Sequence, residues 1–282
     1  MNSVLFNCET WHSLSELDLK DLKLIDNQLL RYICSAQAKT PLEFLFLETG
    51  SLSLSQIISS RRINYLFEII TRADSELIKR VYSAQKQNPS KGDFINLVKA
   101  DFEFIGVTLD EEKFSQMSQA QFKIFIHKTI YLAVFEEFQA LQIQHSKVRD
   151  IPYKVLSIQK YLKCRDFSRA DCDLLRALRS HSVRGIIANF SSVHKQDMAC
   201  PLNCDFSNPE DNQIHLFSCQ SILSRLDSKY KEQVKDIKYS DIYGDLISQK
   251  AAVRHLSYLL DTRRKILEEL QTTHNIKDKQ AG

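Results

Sequence analysis

Residues 121–141, QFKIFIHKTIYLAVFEEFQAL, decide the fold class of this 282-residue chain. The large apolar side chains recur every three or four residues, at Phe122, Phe125, Ile126, Ile130, Val134, Phe138 and Leu141. The other face is polar and includes Lys123, Lys128, Glu136 and Glu137. An apolar stripe at this period, with charges on the opposite side, is typical of a helix that buries one face. The stretch therefore predicts a long amphipathic α-helix.

The same period and several helix-start signals recur along the chain. Residues 13–16, Ser-Leu-Ser-Glu, have the form of a capping box, in which a hydroxyl and a carboxylate satisfy the first free N–H groups of a helix. The helix after it would carry its apolar face at Leu17, Leu24, Leu29, Tyr32 and Ile33. Further helices are expected over about 53–71, after Asp74, from Asp93, from Ser168 and over Lys250–Leu270. With no convincing alternating strand and only 6 Gly and 5 Pro, the sequence predicts an all-α fold, an irregular multi-helix array.

Bulk composition limits the class of protein. The chain is 43% hydrophobic and 26% charged with a net charge of +3, which is ordinary for a soluble globular protein. Because the seven cysteines are an odd number and no secretory signal is visible, we expect free thiols and a nuclear or cytoplasmic location. No apolar run approaches the roughly 18 residues of a membrane span, so no membrane partner is expected.

Four potential metal ligands lie close together in a loop-rich stretch. They are Cys200, Cys204, His215 and Cys219, in the pattern C-x3-C-x10-H-x3-C. Residues four apart lie on one face of a helix, so His215 and Cys219 can converge on one ion, and the turn residues between the two pairs let them meet. Three thiolates and one imidazole fill the tetrahedral shell of zinc and leave no position for a catalytic water. We therefore expect a structural zinc in a small zinc-knuckle-like insertion.

Other interpretations of these residues stay open. The motif can also be explained as ordinary cysteines beside a surface histidine, and His194 is an alternative ligand. Cys164, Cys172 and His181 have a spacing that could imitate a second site. Core thiols and a solvated histidine explain those three residues better.

Positive charge is concentrated just before the metal motif. Between Lys154 and Lys195 there are nine basic and three acidic residues, so this stretch carries +6 and the rest of the chain −3. The cations expected to contact phosphates are Arg169, Arg176, Arg179, Arg184 and Lys195. Tyr161, His181 and Phe190 are candidate stacking surfaces for bases. The competing interpretation of the charges is a solvated helix face.

No set of residues with a catalytic pattern is visible. There is no Gly-rich phosphate loop, no G-x-S-x-G and no H-E-x-x-H. The expected metal shell is closed and would not activate water. We therefore expect no enzyme activity and no small-molecule substrate.

Several collinear motifs resemble those of one family. Lys39–Gly50 (KTPLEFLFLETG) is similar to TPIE-LYLETG, and Ile57–Leu66 (IISSRRINYL) is similar to II-SRRLNFL. Asn88–Phe94 (NPSKGDF) resembles NP-KGDW, and Leu178–Phe190 resembles LRTR…V-NF. Cys200–Cys219 takes the place of CPLC…EHLL-C. These motifs belong to the region after the reverse transcriptase domain of non-LTR, LINE-like retrotransposons of animals, and the resemblance covers nearly the full chain.

The resemblance implies a non-catalytic accessory region that binds RNA or DNA, contains a structural zinc, and positions the RNA template or the target DNA. The chain departs from the family's pattern at the knuckle. Three residues rather than two separate the first cysteines, and three rather than four separate His215 from Cys219. The polymerase aspartates (Y-x-D-D) and the endonuclease are absent. The alternatives are a zinc-stabilised helical protein-interaction module and an inert retroelement fragment.

The motifs predict four regions along the chain. Residues 1–150 would form a helical region that, by the resemblance, follows the reverse transcriptase thumb, and 151–195 a basic helical segment. Residues 196–228 would form the zinc-knuckle-like motif. Residues 229–282 would form a C-terminal helical tail, through which two copies of the chain could associate.

Overall fold

A computed structural model describes residues 5, 7–10, 16–146, 148–180, 200, 202 and 213–280. Within these ranges the chain forms thirteen α-helices and two short 3₁₀ segments, and it forms no strand. The prediction of an all-α fold is confirmed. Across the same ranges no helix combines the length and apolar character that crossing a bilayer requires. Contacts divide the chain into two compact units.

The first unit comprises Met1–Ile33, Leu42–Gln144 and Tyr153–Ile158. After a 3₁₀ turn at Cys8–Thr10, its helices are α1 (Glu16–Ile33), α2 (Leu42–Thr49), α3 (Leu54–Ile70), α4 (Leu77–Gln87), α5 (Phe94–Phe104), α6 (Glu111–Ser115) and α7 (Gln119–Gln142). The long helix predicted over 121–141 is α7, which packs against α2 and α3.

The apolar stripe of α7 forms a large part of the core of the first unit. Phe122 and Val134 are fully buried. Phe46 of α2 stacks on Phe138 with 4.9 Å between ring centroids, and Phe67 of α3 stacks on Phe122 at 4.5 Å. Burying a side chain of this size contributes about 1.5–3 kcal/mol. The stripe therefore holds α2, α3 and α7 together.

Serine capping boxes mark the starts of α7 and α9, among other helices. At Ser118 the hydroxyl accepts from the N–H of Gln121 at 3.2 Å, and the Gln121 side chain accepts from the N–H of Ser118 at 2.9 Å. Ser168 and Asp171 make the same reciprocal pair, as their spacing in the sequence indicates. The box predicted at 13–16 lies outside the described side chains.

Helix α1 forms, but its apolar face is exposed. Exposed positions include all five of the predicted face: Leu17, Leu24, Leu29, Tyr32 and Ile33. The side of α1 that meets α3 carries Asp26, whose carboxylate accepts from the N–H of Leu54 at 3.1 Å. Leu54 is the first residue of α3, and the first N–H groups of a helix need partners outside it. Leu22 also packs against the apolar cluster that includes Leu54 and Ile58 of α3, so the predicted face of α1 lies outward.

The segment Tyr153–Ile158 closes the first unit against the end of α2. The Tyr153 hydroxyl donates to the buried carboxylate of Glu48. Gly50 has a φ of +60°, and a Cβ there would lie 2.3 Å from the backbone of Ser157. Both the left-handed backbone and the close approach require glycine at this position.

The second unit comprises Cys34–Pro41, His145–Pro152 and Gln159–Gly282. Its helices are α8 (Lys160–Lys163), α9 (Arg169–Arg179), α10 (Gln213–Ser218), α11 (Gln220–Arg225), α12 (Ser228–Val234) and α13 (Leu246–Gln280), with a 3₁₀ segment at Tyr239–Tyr243. The last long helix predicted over Lys250–Leu270 lies within α13.

Helix α13 organises the core of the second unit. It contacts α9, α10, α11 and the 3₁₀ segment. Its Leu256 and Leu259 are fully buried. Among the described side chains of α13 the last buried apolar one is Ile266, and Leu270, expected on the buried face, is 48% exposed. The far end of α13 therefore adds little to this core.

Candidate metal centre

Three side chains with metal-binding atoms meet in the second unit. His215 lies in α10, Cys219 lies between α10 and α11, and Cys200 comes from an earlier part of the chain. The sequence suggested that His215 and Cys219 share a continuous helix, but α10 ends at Ser218. The Cys219 carbonyl accepts from the N–H of Leu223 at 2.8 Å and opens α11. The two ligands thus converge across a helix break.

The geometry of the triad suits a metal ion. The sulfur atoms of Cys200 and Cys219 are 4.0 Å apart, and both lie within 4.8 Å of a ring nitrogen of His215. Two sulfurs bound tetrahedrally to one zinc, with bonds of about 2.3 Å, would lie about 3.8 Å apart. All three residues are buried, with 6%, 0% and 8% exposure for Cys200, Cys219 and His215. Small side-chain rotations would therefore complete coordination by these three atoms.

Packing around the triad ties it to the core. Leu216, next to His215, is fully buried. Cys200 and Cys219 belong to the same apolar cluster as residues of α9 and α13. Beyond them, the hydroxyl of Ser221 donates to the carbonyl of Leu202 at 2.9 Å. The apolar cluster thus places the ligand atoms.

An aromatic contact links α10, the helix that carries His215, to α13. Phe217 packs edge-on to His255 with 5.5 Å between ring centroids. The Nδ1 atom of His255 lies 3.2 Å from the hydroxyl of Tyr230 in α12. Burial lowers the pKa of His255, which favours the neutral ring at this position. The histidine therefore joins α10, α12 and α13 as an uncharged aromatic group.

Without metal the thiol of Cys200 is held in its protonated form. A hydrogen bond with Cys219 and then burial raise the pKa of Cys200 well above its ordinary value. Metals bind the thiolate, so coordination here must release a proton. Metal binding at this triad is therefore expected to weaken as the pH falls.

The remaining candidate ligands named from the sequence fall into two groups. Cys204, His181 and His194 lie outside the described residues. Cys164 and Cys172 are half-buried, and the Cys172 thiol donates to the carbonyl of Tyr161 at 3.7 Å. In the part of the chain that the structure describes, the triad is the one group of three or more metal-binding side chains. The structure thus shows a candidate metal site.

Three of the cations expected at phosphates lie in α9, and their environments differ. The Arg169 side chain is 75% exposed, with its Nε 3.9 Å from a carboxylate oxygen of Asp173. Arg176 is buried, and its guanidinium donates to Asp173 at 2.9 Å and to the carbonyl of Cys34. The other two cations lie outside the described residues: Arg184 and Lys195.

Arg179 is enclosed by its own chain. Its guanidinium donates to the carbonyl of Ile242 at 3.2 Å and lies over the rings of Tyr161 and Tyr243, at 5.9 and 5.4 Å from their centroids. Tyr161 is 1% exposed, so this ring, expected to stack on a base, packs inside the unit. A phosphate could reach Arg176 or Arg179 only by displacing these internal partners.

Exposed positive charge lies at other positions of the same segment. Four exposed cations lie around α8 and the start of α9, and we call them the exposed basic group: Lys160, Lys163, Arg165 and Arg169. Of these only Arg169 was singled out by its helical spacing. The sequence does not separate exposed from buried cations here, because the partners of the buried arginines lie far along the chain.

Comparison with models of known protein families found no match, and comparisons with curated proteins and with solved structures found none. Any assignment of function must therefore come from the motifs of the sequence and from the geometry described above.

Proposed function

We propose that this chain is a non-catalytic, zinc-stabilised accessory region of a LINE-like reverse transcriptase, and that it binds nucleic acid to position the RNA template or the target DNA. The observation that carries the proposal is the triad of Cys200, His215 and Cys219. It lies where the family resemblance places a zinc knuckle. The resemblance supplies the biological context, and the triad supplies the chemistry.

Zinc is the metal that this ligand set favours. Two thiolates and one imidazole are soft and borderline ligands, which select zinc over magnesium or calcium. Cys204 is the proposed fourth ligand, since it completes the motif in the sequence. A closed shell of this type is structural and contributes roughly 10–16 kcal/mol of apparent binding free energy, which is coupled to folding.

The exposed basic group supports nucleic-acid binding by charge. Lysine and arginine that contact phosphates release counterions, and the binding constant then falls with salt. Four such contacts would lower the logarithm of the binding constant by about 3 per tenfold rise in salt. Contacts of this kind carry little base specificity. We therefore expect similar affinity for unrelated sequences of one nucleic-acid type.

The first experiment measures metal content and binding on the same protein. The full chain is purified with zinc, its zinc is quantified, and its binding to a fluorescent RNA and to a DNA duplex is followed from 50 to 200 mM salt. Over this interval we expect about a 100-fold loss of affinity. A Cys200→Ser/Cys219→Ser variant should lose both the zinc and the binding.

A charge-matched pair of variants tests the surface. One variant replaces the exposed basic group with glutamine. The control replaces four exposed lysines of the first unit with glutamine: Lys20, Lys23, Lys123 and Lys128. Only the first variant should flatten the salt dependence. Equal effects of the two would reject the exposed basic group as the binding surface.

A zinc-stabilised protein-interaction module is the second candidate, and the burial of Arg176 and Arg179 favours it, since these two cations contribute to packing. It predicts a folded chain with one bound zinc and no affinity for RNA or DNA. That result would reject the nucleic-acid role. The same result without zinc would reject both proposals.

A further inference from the structure

Two of the proposed metal ligands are also close enough to react with each other. The sulfurs of Cys200 and Cys219 are 4.0 Å apart. A disulfide requires about 2.05 Å, so the two side chains must approach each other by about 2 Å in total. No third thiol among the described residues shares the triad, whose remaining ligand is His215.

Both cysteines are buried, but their residual exposure differs. Cys200 is 6% exposed, whereas Cys219 is 0% exposed. A small oxidant is therefore expected to meet Cys200 first and Cys219 second. This order is that of an attacking thiolate and a resolving thiolate in the formation of a disulfide.

We infer that Cys200 and Cys219 form a redox-sensitive metal site: a peroxide reversibly oxidises the pair to a disulfide, and the metal is released. The inference rests on the proposed zinc for its metal-release step, while the disulfide step rests on the geometry of the sulfurs. The oxidant that this reaction requires is hydrogen peroxide or an organic hydroperoxide.

The reaction balances in two steps. The Cys200 sulfur is a thiolate where a metal holds it, and in the zinc-free chain it first loses its proton to solvent. The thiolate attacks one peroxide oxygen, so that a sulfur–oxygen bond forms, the oxygen–oxygen bond breaks and hydroxide, or the alkoxide of an organic hydroperoxide, leaves. The Cys219 thiolate then attacks the resulting sulfenic acid at sulfur, forming the disulfide and expelling a second hydroxide. Two protons from solvent neutralise the two leaving groups. The sulfurs together lose two electrons, which the peroxide accepts, and the metal loses two of its ligands.

Loss of the metal at this position should affect the whole second unit. Both sulfurs belong to the apolar cluster that joins α9 and α13. Oxidation is therefore expected to loosen the helices that carry the exposed basic group. Reduction of the disulfide in the presence of zinc should restore the original state.

The test treats the zinc-loaded full chain with hydrogen peroxide and follows zinc release with a chromogenic chelator, together with intact mass and peptide mapping. We expect release of the bound zinc, a mass loss of two hydrogen atoms, a Cys200–Cys219 linkage and recovery with dithiothreitol plus zinc. A linkage through Cys204, or sulfinic acids without a disulfide, would overturn the inference. A chain that keeps its zinc under peroxide would overturn it as well.

Cysteine variants test the assigned order. In a Cys204→Ser/Cys219→Ser variant, which also removes the thiol of the proposed fourth ligand, the oxidised Cys200 has no resolving partner, so a sulfenic acid should accumulate there and react with a dimedone probe. Cys200→Ser should show no such labelling at Cys219, and Cys172→Ser is the matched control with an unchanged disulfide. Labelling at Cys219 instead would reverse the assignment.

The zinc proposal and the disulfide inference can be rejected separately. If the purified chain contains no zinc, the metal part of the proposed function is lost. The same peroxide treatment of that zinc-free chain still decides the inference, because a Cys200–Cys219 disulfide either forms and is reducible or does not form.

Discussion

Replacing Arg179 with methionine should destabilise the fold without directly weakening nucleic-acid binding. Methionine keeps much of the apolar stem but has no charge and no donor. It therefore removes the hydrogen bond to the carbonyl of Ile242 and the contacts with the rings of Tyr161 and Tyr243. Arg169→Met, on the same helix but 75% exposed in its side chain, is the matched control.

The magnitude follows from these contacts. Leaving a buried acceptor without its donor costs about 1–3 kcal/mol. Each cation–π contact contributes about 0.5–1 kcal/mol. For Arg179→Met the free energy of unfolding should fall by about 3 kcal/mol. An exposed substitution such as Arg169→Met should stay within about 0.5 kcal/mol.

Urea unfolding followed by circular dichroism measures the difference. With a slope near 3 kcal/mol per molar, the midpoint of Arg179→Met should fall by about 1 M urea. At a temperature where both variants are folded, only Arg169→Met should reduce the salt dependence of RNA binding, by about one phosphate contact. Unchanged unfolding of Arg179→Met combined with weakened binding would refute a structural role for this arginine.

Two further predictions concern glycine geometry and pH. Gly50→Ala should lower the free energy of unfolding by more than about 3 kcal/mol, because the new Cβ would meet the backbone of Ser157 at 2.3 Å. Gly106→Ala, also at positive φ but with open space around it, should cost about 1 kcal/mol, and equal losses in urea unfolding would contradict the contact. Because burial lowers the pKa of His255, the unfolded chain binds a proton that the folded chain does not as the pH falls below about 6.5. Stability should therefore decrease from there down to the folded pKa, and His255→Phe should decrease less over the same interval. Unfolding curves across pH for both proteins measure the difference, and parallel curves would exclude His255 as its source.

The fold was predictable where the controlling interactions are local. The apolar residues of α7 recur every three or four positions, and the two members of each capping pair, at Ser118 and at Ser168, are three residues apart. Both patterns are therefore visible in a short window of sequence. The outward face of α1 was not predictable in this way. It depends on long-range contacts with α3, such as the bond between Asp26 and Leu54, which are 28 residues apart in the chain.

In the candidate site, too, local spacing was predictable and long-range contacts were not. The spacing of His215 and Cys219 indicated that their side chains converge, although the helix break between them is not visible in the motif. The roles of Arg176 and Arg179 depend on carbonyls 142 and 63 residues away in the chain. Helical spacing therefore grouped these arginines with Arg169 as one charged face, whereas tertiary packing separates them.

The closing contact of the first unit has a consequence for synthesis on the ribosome. Tyr153 and Glu48 are 105 residues apart in the chain. At about 5–20 residues per second, roughly 5–20 s pass between the emergence of the one and of the other. Until then the end of α2 lacks its covering segment in the nascent chain. A chain that ends near residue 150 would lack Tyr153–Ile158, so its first unit could not be completed.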